Sequence, residues 1–109
     1  MIIKITINRI EWEVLFTSSD NALLIDNNGA TAYEECKIYI RRDMNESKTR
    51  RILIHELTHA VEYSFGLKDR VSEDRHEDLA NFLMHYADFI IATAGDIMSK
   101  VIESKGIYA

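Results

Sequence analysis

The sequence predicts an α+β fold, in which a small N-terminal antiparallel sheet of about three strands is followed by two or three helices. Two observations predict it. Apolar and polar side chains alternate up to about residue 41, which is the period of a half-buried strand, and from Asn45 onward the apolar residues recur at helical spacing. Because 109 residues leave room for one modest core, we expect a single domain over residues 1–109.

Three strands are predicted from the alternation, at about 2–8, 10–17 and 36–41. Between the first two, Asn8-Arg9 fits a two-residue hairpin turn, because asparagine tolerates a left-handed backbone. Residues 22–26 are expected to form a short strand or part of a loop, and a turn is expected at 27–29.

The first helix is predicted to begin after Asn45, a residue that can cap a helix N-terminus, and to stop at Gly66. Its apolar stripe consists of Leu53, Leu57, Ala60, Val61 and Ser64. A second helix is expected to open at Ser72 and to bend or break near Ala94-Gly95, which would leave residues 96–105 as a third helical segment. The packing stripe predicted for the second helix consists of Ala80, Leu83, Ala87, Ile90 and Ile91.

Charge and cysteine content exclude several classes of protein. The formal net charge of −5 argues against a nucleic-acid backbone or an anionic membrane as partner, because both are bound by clustered Lys and Arg. The single cysteine, Cys36, has no partner for an internal disulfide and is too isolated for a cysteine-based zinc site. The N-terminus lacks a signal-peptide pattern, and no apolar run has the length needed to cross a bilayer. We therefore expect a cytoplasmic protein.

The most informative stretch lies in the middle of the first helix and reads His55-Glu56-Leu57-Thr58-His59. Residues four apart share one helical face, so both imidazoles can reach one Zn²⁺ ion at the roughly 2.0–2.1 Å that Zn–N bonds require. Glu56 points to the flank of that face, where it can act as a general base on a metal-bound water. The alternative is an ordinary helix with two surface histidines and an exposed glutamate.

A catalytic zinc site usually has three protein ligands and an open fourth position. We expect the third ligand from the start of the second helix, where the candidates are Glu73, Asp74, His76, Glu77 and Asp78. On the predicted packing stripe, residues 76 and 77 both flank the contact between the helices. Spacing alone therefore leaves Glu77 and His76 open as the third ligand.

The run at 53–62 resembles the active-site helix of the small HExxH zinc peptidases of phages and prophages, which are similar to the ImmA/IrrE type and to minimal gluzincins. The strand at 37–40 and the run at 77–81 also match that pattern, so the resemblance covers roughly residues 30–90. It implies a minimal zincin-like core, peptidase activity and Glu77 as the third zinc ligand. It also implies that Asn81, where the commoner residue is Asp, supports a metal-bound histidine.

The preferred hypothesis is thus a zinc peptidase that acts on a protein or peptide substrate, with no nucleic-acid or membrane partner. The substrate is expected along an edge strand, for which 36–41 is the candidate, with residues 29–32 near the cleft. Candidates for stabilising the oxyanion are Tyr63, Tyr86 and His85, each also explained by packing or surface exposure. Two other hypotheses are a metal-stabilised interaction module without catalysis and a metal-free dimerisation surface. The oligomeric state stays open.

Overall fold

A computed structural model of the chain describes residues 1–18, 20–67 and 76–106, with side chains in α2 described for residues 82–104. The elements in chain order are β1 (Ile2–Ile7), β2 (Ile10–Thr17), a short 3-10 helix (Ala22–Leu24), β3 (Gly29–Ala32), β4 (Lys37–Arg41), α1 (Glu46–Ser64) and α2 (His76–Gly106). The predicted α+β class is confirmed, since a four-stranded sheet precedes two helices.

The sheet has the strand order β1-β2-β4-β3 and is mixed rather than antiparallel throughout. The predicted hairpin between β1 and β2 is confirmed, with Asn8 and Arg9 both left-handed at φ 49° and 67°. β3 and β4 are also antiparallel, but β2 and β4 run parallel. The parallel pair arises because the chain leaves β2, crosses to the far edge to form β3, and returns inward as β4.

The strand predicted as the edge lies inside the sheet. β4 has β2 on one side and β3 on the other, and its Ile38 and Ile40 are fully buried. The two edge strands are β1 and, next to β4, the short strand β3 (Gly29–Ala32). Its sequence, GATA, has no large apolar residue, so alternation of hydrophobicity did not mark it as a strand.

Helix α1 begins and ends as predicted. The Asn45 side chain accepts a hydrogen bond from the Lys48 backbone N–H at 2.8 Å, which satisfies one of the unpaired donors of the first turn. At the other end Gly66 has a φ of 71°, and the Leu67 N–H bonds to the Glu62 carbonyl. The stripe that packs α1 on the sheet, Leu53, Leu57, Ala60, Val61 and Ser64, is buried as predicted.

Helix α2 differs from the prediction in two ways. It continues through Ala94-Gly95 to Gly106, so the expected break and third segment are absent from the described helix. Gly95 faces open space, and a single glycine costs a helix only about 1 kcal/mol. Ser72, the predicted cap, lies outside the described residues. Within the described ranges, neither helix has a stretch long and apolar enough to span a membrane.

The buried face of α2 overlaps the predicted one only in part. Leu83 and Ile91 are 49% and 57% exposed. The face that packs on the core consists of Phe82, Ile90, Ala94, Ile97, Met98 and Val101. The prediction was right for Ile90, which is buried, and wrong for Leu83 and Ile91. The helix is apolar around more than half of its circumference, so its periodicity did not fix the borders of the buried stripe. The predicted stripe was also the reason for placing residues 76 and 77 beside the contact between the helices. Because that stripe differs from the observed one, the stripe no longer supports this placement.

Candidate metal and catalytic site

The two histidines of α1 converge. The Nε2 atoms of His55 and His59 are 3.2 Å apart, and their rings meet edge to face with centroids 4.8 Å apart. Two nitrogens bound at roughly 2.0–2.1 Å to one tetrahedral ion would lie about 3.3 Å apart. The pair therefore fits one zinc ion. The same distance also suits an N–H···N hydrogen bond when one Nε2 carries its proton.

The other ring nitrogen of His59 faces a carboxylate. Its Nδ1 is 3.5 Å from Oε1 of Glu62, which lies three residues further along α1 and has a side chain only 16% exposed. A metal-binding histidine commonly directs its second N–H at such an acceptor, and this leaves the Nε2 lone pair for the ion. The resemblance implied this supporting role for Asn81. The structure shows a carboxylate of α1 itself at His59.

Glu56 is buried, which the ordinary-helix alternative did not expect. The residue is only 7% exposed, and its Oε1 accepts a hydrogen bond of 2.8 Å from the Thr31 hydroxyl of β3. Its Oε2 lies 3.9 Å from Nε2 of His55. A carboxylate is costly to bury, and acidic residues are found inside proteins mainly where partners or a function hold them there. Glu56 thus lies beside the two imidazoles and under the edge strand.

A cleft of about 460 Å³ opens beside Glu56 and His55. It is lined by Asp26, Asn27, Asn28, Gly29, Arg51, Ile52, His55 and Glu56. The loop before β3 forms one wall and α1 forms the other. The His55 side chain is 67% exposed and open to solvent at this cleft, while the Glu56 side chain is only 10% exposed. His59 is not among the residues that line the cleft. The volume falls within the range of small-ligand sites.

Of the candidate third ligands, His76, Glu77 and Asp78 lie on α2, whose first residue is His76, and Glu73 and Asp74 lie outside the described residues. The backbone of α2 carries positions 76, 77 and 81, but the side chains of His76, Glu77 and Asn81 lie outside the described residues. Among the side chains that the structure does describe, no group of three or more His, Cys, Asp or Glu converges on a metal position. The assignments of Glu77, His76 and Asn81 stay predictions.

The predicted oxyanion candidates are mostly engaged in packing. Tyr86 contacts Phe65 and Phe82 with ring centroids 4.7 and 5.1 Å away, and exposed His85 lies beside it. Tyr63 meets Trp12 edge to face at 6.0 Å. These contacts assign Tyr63 and Tyr86 to packing.

The sequence analysis placed residues 29–32 near the cleft but gave Thr31 no role, and it missed Tyr33. The Tyr33 ring lies 6.5 Å from that of His59, also edge to face. Thr31 bonds the Glu56 carboxylate. Both belong to β3 or the turn after it, which the hydrophobic pattern did not reveal. Recognising β3 as the edge strand against α1 was the signal that could have found them.

No protein-family model, curated protein or solved structure matches this chain.

Proposed function

We propose that this chain is a zinc-dependent peptidase in which His55 and His59 bind the metal and Glu56 is the general base. One observation carries the proposal: two imidazole nitrogens 3.2 Å apart lie beside a buried carboxylate whose Oε2 is 3.9 Å from one of them. Two surface histidines on an ordinary helix would not explain why an acidic side chain is buried next to them.

Each residue has a distinct chemical part. His55 and His59 would hold a zinc ion, which when bound would supply Lewis-acid polarisation of the scissile carbonyl and of a water molecule. Glu56 takes a proton from the attacking water and passes it to the amine nitrogen that leaves. Its shielded position keeps bulk water away from the carboxylate, while His55 is reached from the cleft. Glu62 holds His59 through Nδ1.

The remaining coordination is proposed from the resemblance. Glu77 is the proposed third ligand, with His76 as the alternative, and Asn81 is proposed to support a metal-bound histidine. A fourth position open to water distinguishes a catalytic site from a structural one, which four protein ligands close.

The proposed substrate is a protein or peptide. β3 pairs with β4 on one side only, so its other edge can accept an extended chain as an added strand. The cleft beside Gly29 and Glu56 then accommodates a side chain of that substrate. The proposed place of action is the cytoplasm, where a lone cysteine such as Cys36 stays reduced.

The direct test is cleavage of a peptide library made from a bacterial proteome, with mass spectrometry as the readout. We expect the zinc-loaded chain to generate new peptide termini, treatment with a chelator to abolish them, and added zinc to restore them. The reason is that Glu56 can act only on water that the metal has acidified. A library left intact by the zinc-loaded chain would contradict the proposed activity.

The apolar surface of α2 favours a second candidate function, self-association through this helix. Met84, Ile91 and Ile102 are 70%, 57% and 43% exposed. At about 100° per residue all three lie within about 20° of one line along the helix. An antiparallel second copy would set Met84 against the partner's Ile102 and Ile91 against the partner's Gly95, so that large side chains meet small or apolar ones.

Self-association predicts a dimer that Ile91→Glu converts to a monomer, because the charge would be buried in an apolar contact. Sedimentation equilibrium measures the mass of both proteins. The matched control is Lys100→Glu, nine residues further on and therefore on the opposite side of α2. A monomeric wild-type chain, or a dimer that survives Ile91→Glu, would contradict this candidate.

A further inference from the structure

The edge strand β3 presents unusual side chains to α1. In the register of β3 with β4, Gly29 lies opposite Ile40 and Thr31 lies opposite Ile38. Residues directly opposite each other point to the same face of a sheet, and here both isoleucines are fully buried. β3 therefore contributes a glycine and a hydroxyl to a face where β4 contributes two large aliphatic side chains.

Gly29 allows β3 to lie close against the part of α1 that carries Glu56. A Cβ atom at this position would be 2.7 Å from Cγ2 of Ile52 and 3.1 Å from Cγ of Glu56. Carbon atoms in contact without strain are about 3.5–4.0 Å apart. Any side chain at residue 29 would therefore force the Ile52 side chain, the Glu56 side chain or the strand itself to shift.

Thr31 uses this close approach to bond Glu56. Its hydroxyl donates to Oε1 at 2.8 Å and is 3.4 Å from the Glu56 backbone carbonyl. The hydrogen bond engages one carboxylate oxygen and leaves the other, Oε2, on the side of His55. The two oxygens of the general base are thus not equivalent.

We infer that Thr31 is a positioning residue that holds Oε1 of Glu56, so that Oε2 is the oxygen that takes the proton in the proposed reaction. The inference rests on the proposed function. A glutamate side chain has three rotatable torsions, and a general base must stay within hydrogen-bond reach of the proton it removes. Without the hydroxyl, the carboxylate loses its fixed orientation.

The test compares Thr31→Val, which keeps the shape and removes the hydroxyl, with Thr31→Ser, which keeps the hydroxyl. The assay uses the zinc-loaded full chain and a peptide cleaved in the proteome-derived library. We expect Thr31→Val to lower kcat about 10–100-fold with little change in KM, because the substrate still binds while the base is misplaced. Thr31→Ser should keep kcat within a few-fold of the wild-type value, because the serine hydroxyl can still donate a hydrogen bond to Glu56.

Two further measurements separate positioning from a structural role. Zinc affinity of Thr31→Val should stay near that of the wild type, because both histidines are kept. In the Glu56→Gln background, Thr31→Val should cause no further loss of kcat, because the base it positions is already gone. If Thr31→Val fails to fold, Thr31→Ala replaces it as the variant without the hydroxyl.

The outcomes distinguish the two proposals. Wild-type cleavage no faster than that of Glu56→Gln would overturn the proposed function, and the role of Thr31 would fall with it. An active wild type with an equally active Thr31→Val would overturn the role of Thr31 alone. The role of Thr31 would also be overturned if Thr31→Val lost activity and Thr31→Ser did not restore it. The same conclusion would follow if Thr31→Val lowered kcat equally in the wild-type and Glu56→Gln backgrounds.

Discussion

Glu56→Gln is expected to lower peptide cleavage by about 10²–10⁴-fold, the usual contribution of a general base, while zinc binding is retained. The amide has the shape of the carboxylate, and its oxygen still accepts a hydrogen bond from Thr31, but it cannot take a proton from water. The measurement is kcat on a library peptide beside a zinc titration. The thermal midpoint should be unchanged or higher, since a neutral amide costs less to bury than a charged group.

Glu46→Gln is the matched control for this variant. It makes the same chemical change at an exposed position in the first turn of α1, where only a few tenths of a kcal/mol of helix-dipole stabilisation is at stake. Its cleavage rate should equal that of the wild type. Undiminished cleavage by Glu56→Gln would remove Glu56 from the chemistry.

His59→Ala is expected to weaken zinc binding by more than about 100-fold. Loss of a residue that only supports a metal ligand already weakens binding about 10–100-fold, and this variant removes a ligand itself. The variant removes one of the two nitrogens that converge at 3.2 Å. Competition against a chromophoric chelator measures the affinity. In a thermal melt, zinc should raise the midpoint of the wild type and leave that of the variant unchanged, since only a bound metal stabilises by mass action.

Two variants calibrate this result. Glu62→Gln keeps both histidines and weakens only the acceptor at Nδ1 of His59, so we expect an intermediate loss of about 10–100-fold. His85→Ala removes an exposed histidine of α2 and should not change zinc affinity. If His59→Ala bound zinc as tightly as the wild type, the metal site would lie elsewhere or not exist.

The same titration identifies the third ligand. Glu77→Ala and His76→Ala are compared. The variant that removes the true third ligand should lose about as much zinc affinity as His59→Ala, and the zinc affinity of the other variant should stay near that of the wild type. Equal, small losses in both would show that neither residue binds the metal. A large loss in both would indicate a site closed by four protein ligands, which is the mark of a structural metal.

The sequence by itself determined the features that depend on neighbouring residues. The hairpin at Asn8-Arg9, the cap at Asn45 and the stop at Gly66 were all predictable, because each depends on the local backbone preferences of one or two residues. The spacing of His55 and His59 belongs to the same class, since a helix places residues four apart on one face. These local rules led to the fold class and to the histidine pair.

Only the tertiary structure decided which elements lie next to which. The parallel pairing of β2 with β4, the edge position of β3 and the buried face of α2 depend on contacts between distant segments, which hydrophobic period does not encode. The meeting of Gly29 and Thr31 with Glu56 is of this kind, because the two segments are about 25 residues apart in the chain. A glycine and a threonine in a weakly patterned strand acquire their roles only when the sheet brings them onto α1.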